Sequence, residues 1–171
     1  MHENYNNWLL YCLSLINLEK KSLVMDLACG KGESSIMLAE QGFSVVSVDI
    51  SSSLLNNFNR TNIKKICKDV EDLDNWPLYD EAFKLIFVRN FLNRSIFPQI
   101  LKSVDTGGYL VYDTFSEGNE KYGRPKNKNF ILKSRELLEI TKKFSPICYE
   151  NIEVETDLTG FVKQRLLARN V

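Results

Sequence analysis

The stretch Leu23-Val24-Met25-Asp26-Leu27-Ala28-Cys29-Gly30-Lys31-Gly32 decides the fold. Leu23 to Met25 is a short apolar run that closes on Asp26, which suits a buried strand ending in an acid. Gly30 and Gly32 then mark a tight turn. Glu33 to Gln41 suits a helix, with Gly42 as its C-terminal stop. The same order of signals returns at once. Val45-Val46-Ser47-Val48-Asp49 reads as a second strand ending in an acid, and Ser51-Ser52-Ser53 offers N-caps for a helix through about Asn59.

Working outward, Ile63 to Cys67 reads as a weaker strand and Phe83 to Val88 as a strong one. Residues 95–104 suit a helix that tolerates Pro98 in its first turn. Gly107-Gly108 lead into a strand from Tyr109 to Phe115. Strands alternating with helices, and apolar on both faces, imply a parallel sheet covered on both sides. The end of the chain differs. Residues 134–144 look helical, and 146–154 and 160–168 look like an antiparallel hairpin at the sheet edge. Upstream, Tyr5, Trp8, Leu9, Cys12, Leu15 and Ile16 follow helical spacing over residues 4–19. The expected fold is therefore α/β, Rossmann-like and doubly wound, with a mostly parallel sheet and a C-terminal antiparallel hairpin. A single domain is expected over 1–171, with an N-terminal helix in 1–20 and a core over 22–171.

Composition narrows the function. The chain has 171 residues, 44% of them hydrophobic, enough for one domain with its own core. The 22 basic and 22 acidic side chains cancel, which argues against a dedicated nucleic-acid coat protein. Cys12, Cys29, Cys67 and Cys148 lack zinc or redox spacing and suit reduced thiols in the cytoplasm. His2 is the only histidine, so a histidine-based metal site or catalytic triad is not expected. No apolar run approaches the length of about 20 residues that a membrane span needs, and the N-terminus does not read as a secretory signal.

In an open parallel sheet, ligands sit beyond the carboxyl ends of the strands. The turns there start at Asp26, Asp49, Asp69, Arg89 and Thr114. Small residues at 28, 30 and 32 let the backbone approach a ligand, and a carboxylate at Asp49 suits a ribose diol. A dinucleotide fingerprint would need glycine at 28, 30 and 33, where the chain has Ala28, Gly30 and Glu33. An acid directly before the turn also suits a cationic ligand better than a diphosphate.

These residues resemble the motifs of class I S-adenosylmethionine (SAM)-dependent methyltransferases. Val24 to Gly32 is similar to the first motif, with Ala28 where glycine is commonest. Val45 to Ser51 is similar to the second motif. Asp69-Val70-Glu71 followed by Trp76-Pro77 resembles the adenine-side segment, and Phe83 to Phe91 the fourth motif. Thr106-Gly107-Gly108 resembles the lead-in to strand five. The resemblance spans roughly residues 22–170, toward small bacterial methyltransferases of the tellurite-resistance type. Where such relatives are expected to carry His-Arg, this chain has Asn93-Arg94, which removes a candidate base.

The resemblance implies SAM as cofactor, with no metal. It places Asp26 near the methionine ammonium, partly through water. The backbone of Ala28, Cys29, Gly30 and Gly32 would lie beside the amino-acid part. Asp49 would hold the ribose and Ile50 would pack on the adenine. Asp69 and the Val70 backbone would meet the adenine amine, and Asn90 and Phe91 the sulfonium.

On the acceptor side, the polar stretch from Ser116 to Asn129 reads as a long loop, and such loops are often functional. Arg94, Tyr122 and Arg124 are candidate catalytic or acceptor-binding residues. Two arginines there would suit an anionic small molecule. A loop arginine fastened to Glu117 or Glu120 is the bland alternative. Trp76 suits a core anchor better than a substrate platform, and Cys29 a packing residue better than a reactive thiol. A non-catalytic SAM-binding protein and a methyltransferase acting on nucleic acid or protein remain the other readings. A nucleic-acid acceptor ranks lower, because Arg89-Asn90-Phe91-Leu92 stands where such enzymes carry an Asn-Pro-Pro-Tyr-type motif.

Overall fold

A computed structural model describes residues 6–72, 76, 82–156 and 159–171. His2, Tyr5 and Pro77 lie outside the described residues. The elements in chain order are α1 (Asn6–Ser14), β1 (Leu23–Leu27), α2 (Glu33–Glu40), β2 (Ser44–Asp49), α3 (Ser52–Leu55), β3 (Ile63–Cys67), β4 (Phe83–Arg89), α4 (Phe97–Ser103), β5 (Val104–Phe115), α5 (Glu136–Ile140), β6 (Phe144–Glu155) and β7 (Gly160–Asn170). The seven strands form one sheet in the order β3-β2-β1-β4-β5-β7-β6. Strands β1 to β5 are parallel, and β7 runs antiparallel between β5 and β6.

Strand pleating sends alternate residues to opposite faces, and both faces are apolar. Met25, Leu27, Val46, Val48, Ile86, Val88, Leu110, Tyr112 and Leu166 pack with α4 and α5 residues such as Phe97, Ile100 and Leu137. Val24, Val45, Leu85, Phe87, Val111 and Leu167 pack with Trp8, Leu9, Cys12, Leu38 and Leu55 of α1, α2 and α3. This two-sided burial explains why the strands read as unbroken apolar runs. Trp76 is a core residue, as expected.

Several boundaries differ from the sequence expectation. The first helix stops at Ser14, whose Oγ donates to the Tyr11 carbonyl (2.7 Å), and Leu15 is exposed. Helix α3 ends at Leu55, well short of Asn59, and α5 is only Glu136–Ile140. A 3-10 turn, Arg94–Ile96, precedes α4. The hairpin is longer than expected, and its second strand lies inside the sheet against β5. No described helix is long and apolar enough to cross a membrane.

The stretch after β5 is not structureless. It carries two short 3-10 turns, Asn119–Lys121 and Lys128–Phe130. Buried Asn119 accepts from the Val162 amide (3.1 Å), and Ser116 bridges to Leu132. The ends of the loop are therefore fixed to the sheet, leaving its tip around Arg124 to Asn127 exposed or half-buried.

Candidate active site

Strand β1 connects onward to one side of the sheet and β4 to the other, so the crevice beyond their C-terminal ends is the switch point. A cavity of about 290 Å³ opens there. Asp26, Ala28, Gly30 and Glu33 line it from the first turn, and Arg89 and Asn90 from β4. Arg89 pairs with Glu33 across its rim (3.1 Å).

Asp26 lies on the α2 face of β1, opposite Ser47 of β2. It is 2% exposed. Ser35 Oγ of α2 donates to its carboxylate (2.6 Å), and Ser47 Oγ donates to Ser35 (2.7 Å). Burial pushes the carboxyl up to about 7, against the pull of the Ser35 bond and of Arg89. Among the described residues, no cationic side chain pairs with Asp26 directly. A buried acid at a cavity wall, short of a counter-charge, can accept an ammonium group.

The turn that follows is bent for close approach. Ala28 and Gly30 have left-handed backbones (φ 54 and 55). A Cβ on Gly30 would meet no atom within 4 Å, so its Cα faces open space. Gly32 has a different role from the one expected. It is buried, and a Cβ there would lie 2.4 Å from the Phe58 ring. Its small size serves packing against Phe58.

Asp49 is half-buried. Its Oδ2 accepts from the Gly30 amide (2.8 Å) and its Oδ1 from the Ser51 amide (2.9 Å). The acid at the end of β2 thus holds the glycine turn of β1 in place. A carboxylate has about four acceptor positions, so Asp49 keeps capacity for a diol.

The remaining cofactor candidates are spread along the same rim. Ile50 is 67% exposed, an apolar side chain without an apolar cover. Exposed Asp69 accepts from the Glu71 amide (2.9 Å), and the Val70 side chain is in the core. Cys29 lines the cavity, but burial raises its thiol to about 12, so it is a packing residue at neutral pH. Asn90 also has a left-handed backbone (φ 55). Phe91 does not line the crevice. It lines a second chamber of about 290 Å³ with Asn90, Leu92, Phe115, Pro125 and Phe130. Phe115, Pro125 and Phe130 also wall an outer cavity of about 500 Å³, with Arg124, Lys126 and Asn127.

Of the three acceptor-side candidates, only Arg124 lines these chambers. Arg94 points elsewhere, because it is spent on fastening the chain. Its guanidinium makes a bidentate pair with Glu136 (2.6 and 2.9 Å) and donates to the carbonyls of Asn129 and Ile131 (both 2.9 Å). The Glu136 contact raises the Arg94 pKa, and Arg94 holds the Glu136 carboxyl below its usual range. The expected fastening arginine exists, but it is Arg94 acting from outside the loop. Tyr122 packs against Gly160, and its hydroxyl donates to Glu153 (2.6 Å) and lies 3.0 Å from Glu155. Those carboxylates raise the phenol to about 12.

Sequence reasoning missed Lys163. It is 0% exposed in the middle of β7, in contact with Asp113 of β5 (3.2 Å) and donating to Asn90 Oδ1 (2.6 Å). Its ammonium also lies over the Phe115 ring, 4.9 Å from the centroid. Desolvation lowers its pKa. It therefore braces two walls of the chambers, Asn90 and Phe115. The available signal was a lysine set between apolar residues, Phe161-Val162 and Leu166-Leu167, in an expected strand.

Comparison with known proteins gives the same frame. Residues 24–108 match the methyltransferase domain family. Glycine N-methyltransferase of Oryctolagus cuniculus is 39% identical over 82 residues, 45% of this chain and 27% of that protein. The chain thus spans about a quarter of the length of the curated relatives it matches. TehB from Haemophilus influenzae superposes with a TM-score of 0.79 at 20% identity, over 100% of this chain and 64% of that one. Geranyl diphosphate C-methyltransferase from Streptomyces coelicolor, solved with S-adenosyl-L-homocysteine, superposes at 0.74 with 16% identity, over 97% and 77%. The strand order and the acid-ended first two strands give the chain the class I SAM-dependent methyltransferase fold, and residues 24–108 form a methyltransferase domain within it.

Proposed function

We infer that this chain is a cytoplasmic enzyme that transfers a methyl group from SAM to a small-molecule acceptor. The observation that carries the reading is Asp26, a buried acid short of a cation at the wall of the switch-point cavity. SAM offers the ammonium that such a group lacks, whereas a dinucleotide would bring a diphosphate.

Asp26 would meet the ammonium and the open face of Gly30 the amino-acid part. Asp49 would hold the ribose while keeping the glycine turn closed. Ile50 would cover the adenine, with Asp69 and the Val70 backbone at its edge. When bound, SAM supplies a methyl carbon activated by a sulfonium; the acceptor's lone pair forms the new bond as the carbon–sulfur pair returns to sulfur. The protein's part is to hold the acceptor in line and exclude water. Asn90 stands between the crevice and the aromatic chamber, and so at the boundary where the two reactants would meet.

Calorimetric titration of the full chain with SAM, S-adenosylhomocysteine and NAD tests this. Binding of the first two, without measurable NAD binding, is expected. Equal or tighter NAD binding would end the reading.

A further inference from the structure

Three cavities lie in series from the crevice outward. Asn90 is the wall shared by the crevice and the inner chamber. Phe115, Pro125 and Phe130 are shared by the inner chamber and the outer cavity. The inner chamber is lined by Asn90, Phe91, Leu92, Phe115, Pro125 and Phe130, with no ionisable side chain among them. Phe130 is 50% exposed, an aromatic face with room for an apolar partner.

The outer cavity adds Arg124 and Lys126. Three neighbouring cations are neutralised: Arg89 by Glu33, Arg94 by Glu136 and Lys121 by Glu153. Arg124 and Lys126 have no carboxylate partner among the described residues. The loop's own acids are engaged elsewhere. Glu117 accepts from the Ser134 amide (3.1 Å) and Glu120 from the Gly118 amide (2.8 Å). Two unneutralised cations at the mouth of an apolar chamber suit an anion tethered to an apolar body.

The geometry points to an acceptor that is an amphipathic carboxylate, with a ring-sized apolar body in the inner chamber. Its carboxylate faces Arg124 and Lys126, and its nucleophile faces Asn90. This rests on the methyl-transfer reading above. The chamber lining also limits the nucleophile. With no base in it, the acceptor atom must carry an available lone pair at neutral pH, as a thiolate or an aromatic ring nitrogen does. Such a group forms the bond to carbon while the carbon–sulfur pair goes to sulfur, and no proton has to be removed.

The test uses the full chain saturated with S-adenosylhomocysteine, under reducing conditions. Titration compares para-mercaptobenzoate with thiophenol, which lacks the carboxylate. The acid is expected to bind at least about tenfold tighter, the size of one charge-assisted hydrogen bond at a partly exposed site. The advantage should shrink at high salt. It should vanish in the doubly substituted Arg124→Met, Lys126→Met protein, with homocysteine-cofactor affinity, thiophenol affinity and melting temperature unchanged. Phe130→Ala should weaken both ligands. Normal cofactor binding with no advantage for the acid, or with an advantage that survives the double substitution, overturns the inference alone. Failure of the cofactor to bind overturns the methyl-transfer reading and this one with it.

Discussion

Asp26→Asn is expected to stabilise the empty protein while weakening its hold on SAM. The reason is the burial of Asp26, which lifts its carboxyl from 3.8 to about 7. Between those values the folded state holds a proton that the unfolded state has released, so stability falls as pH rises through the window. The contribution of the group is intact below the lower value and lost by the upper one. At about 1.4 kcal/mol for each pH unit, the loss approaches roughly 4 kcal/mol at pH 7 and above. Asparagine keeps the shape and the Ser35 bond and has no charge to bury. In a domain of this size 1 kcal/mol moves the melting temperature by about 2–4 °C. Asp26→Asn should therefore melt higher than wild type by several degrees at about pH 8, with the difference closing towards about pH 4. Thermal unfolding across that range, followed by circular dichroism, reads it directly. Wild type should also release protons when SAM binds near pH 7, detectable by calorimetry in buffers of different ionisation enthalpy, and Asp26→Asn should not. Parallel pH–stability curves for the two proteins, or a variant that melts lower at pH 8, would refute the argument.

Asp49→Ala removes the acceptor for two backbone amides, so it should lower both the melting temperature and SAM affinity, the latter by about ten- to a hundredfold; a variant with only one of the two losses would separate the turn-holding role from the ribose role. Arg94→Ala releases Glu136 and two carbonyls, and should speed proteolysis between Lys126 and Glu136 with SAM affinity unchanged. Lys163→Met leaves Asp113 buried beside Arg165 alone (3.6 Å), at a cost of about 3–5 kcal/mol; adding Asp113→Asn should recover part of it in urea unfolding.

What could be read along the chain was whatever depends on near neighbours. The apolar runs ending in Asp26 and Asp49 gave the strands, their parallel sense and the crevice, because parallel sheets bury both faces and put strand ends on one rim. The first helix was overestimated where apolar spacing continued past the end of the packing surface, as at Leu15, whereas beyond Leu55 the chain leaves the helix although Phe58 still packs in the core. Contacts across the sheet were not legible. Ser47 looks like a polar interruption of an apolar strand until the register with Asp26 and the Ser35 bond explain it. Gly32 looks like part of a ligand-binding turn until Phe58 is seen against it. Arg94 looks like an acceptor-binding residue until α5 brings Glu136 to it. In each case the partner lies far along the sequence, and only the fold selects it.

The charge layout of the site carries a consequence for the chemistry. The crevice presents a buried acid and so favours a cation. The outer cavity presents two unneutralised cations and so favours an anion. Between them lies a chamber of aromatic, proline and leucine side chains with the single amide of Asn90. Ordinarily an uncharged gap between opposite charges would be a poor place for a reaction, because ions entering it lose their hydration. With a thiolate acceptor the gap is where charge disappears. An anionic nucleophile that takes a methyl group from a sulfonium becomes neutral, and so does the sulfur it leaves behind. Desolvation therefore costs the reactants more than the charge-dispersed transition state, and a chamber closed to water by the bound ligands would lower the barrier without a base. The fixed charges at the two ends hold the ligands by groups that keep their charge throughout, the ammonium at Asp26 and the carboxylate at Arg124 and Lys126. On this argument, a polar substitution in the inner chamber such as Leu92→Asn should lower the rate constant of transfer in single-turnover measurements more than it lowers binding of either ligand. An equal loss in binding and rate would mean that the chamber only shapes the acceptor and that its dryness has no part in the reaction.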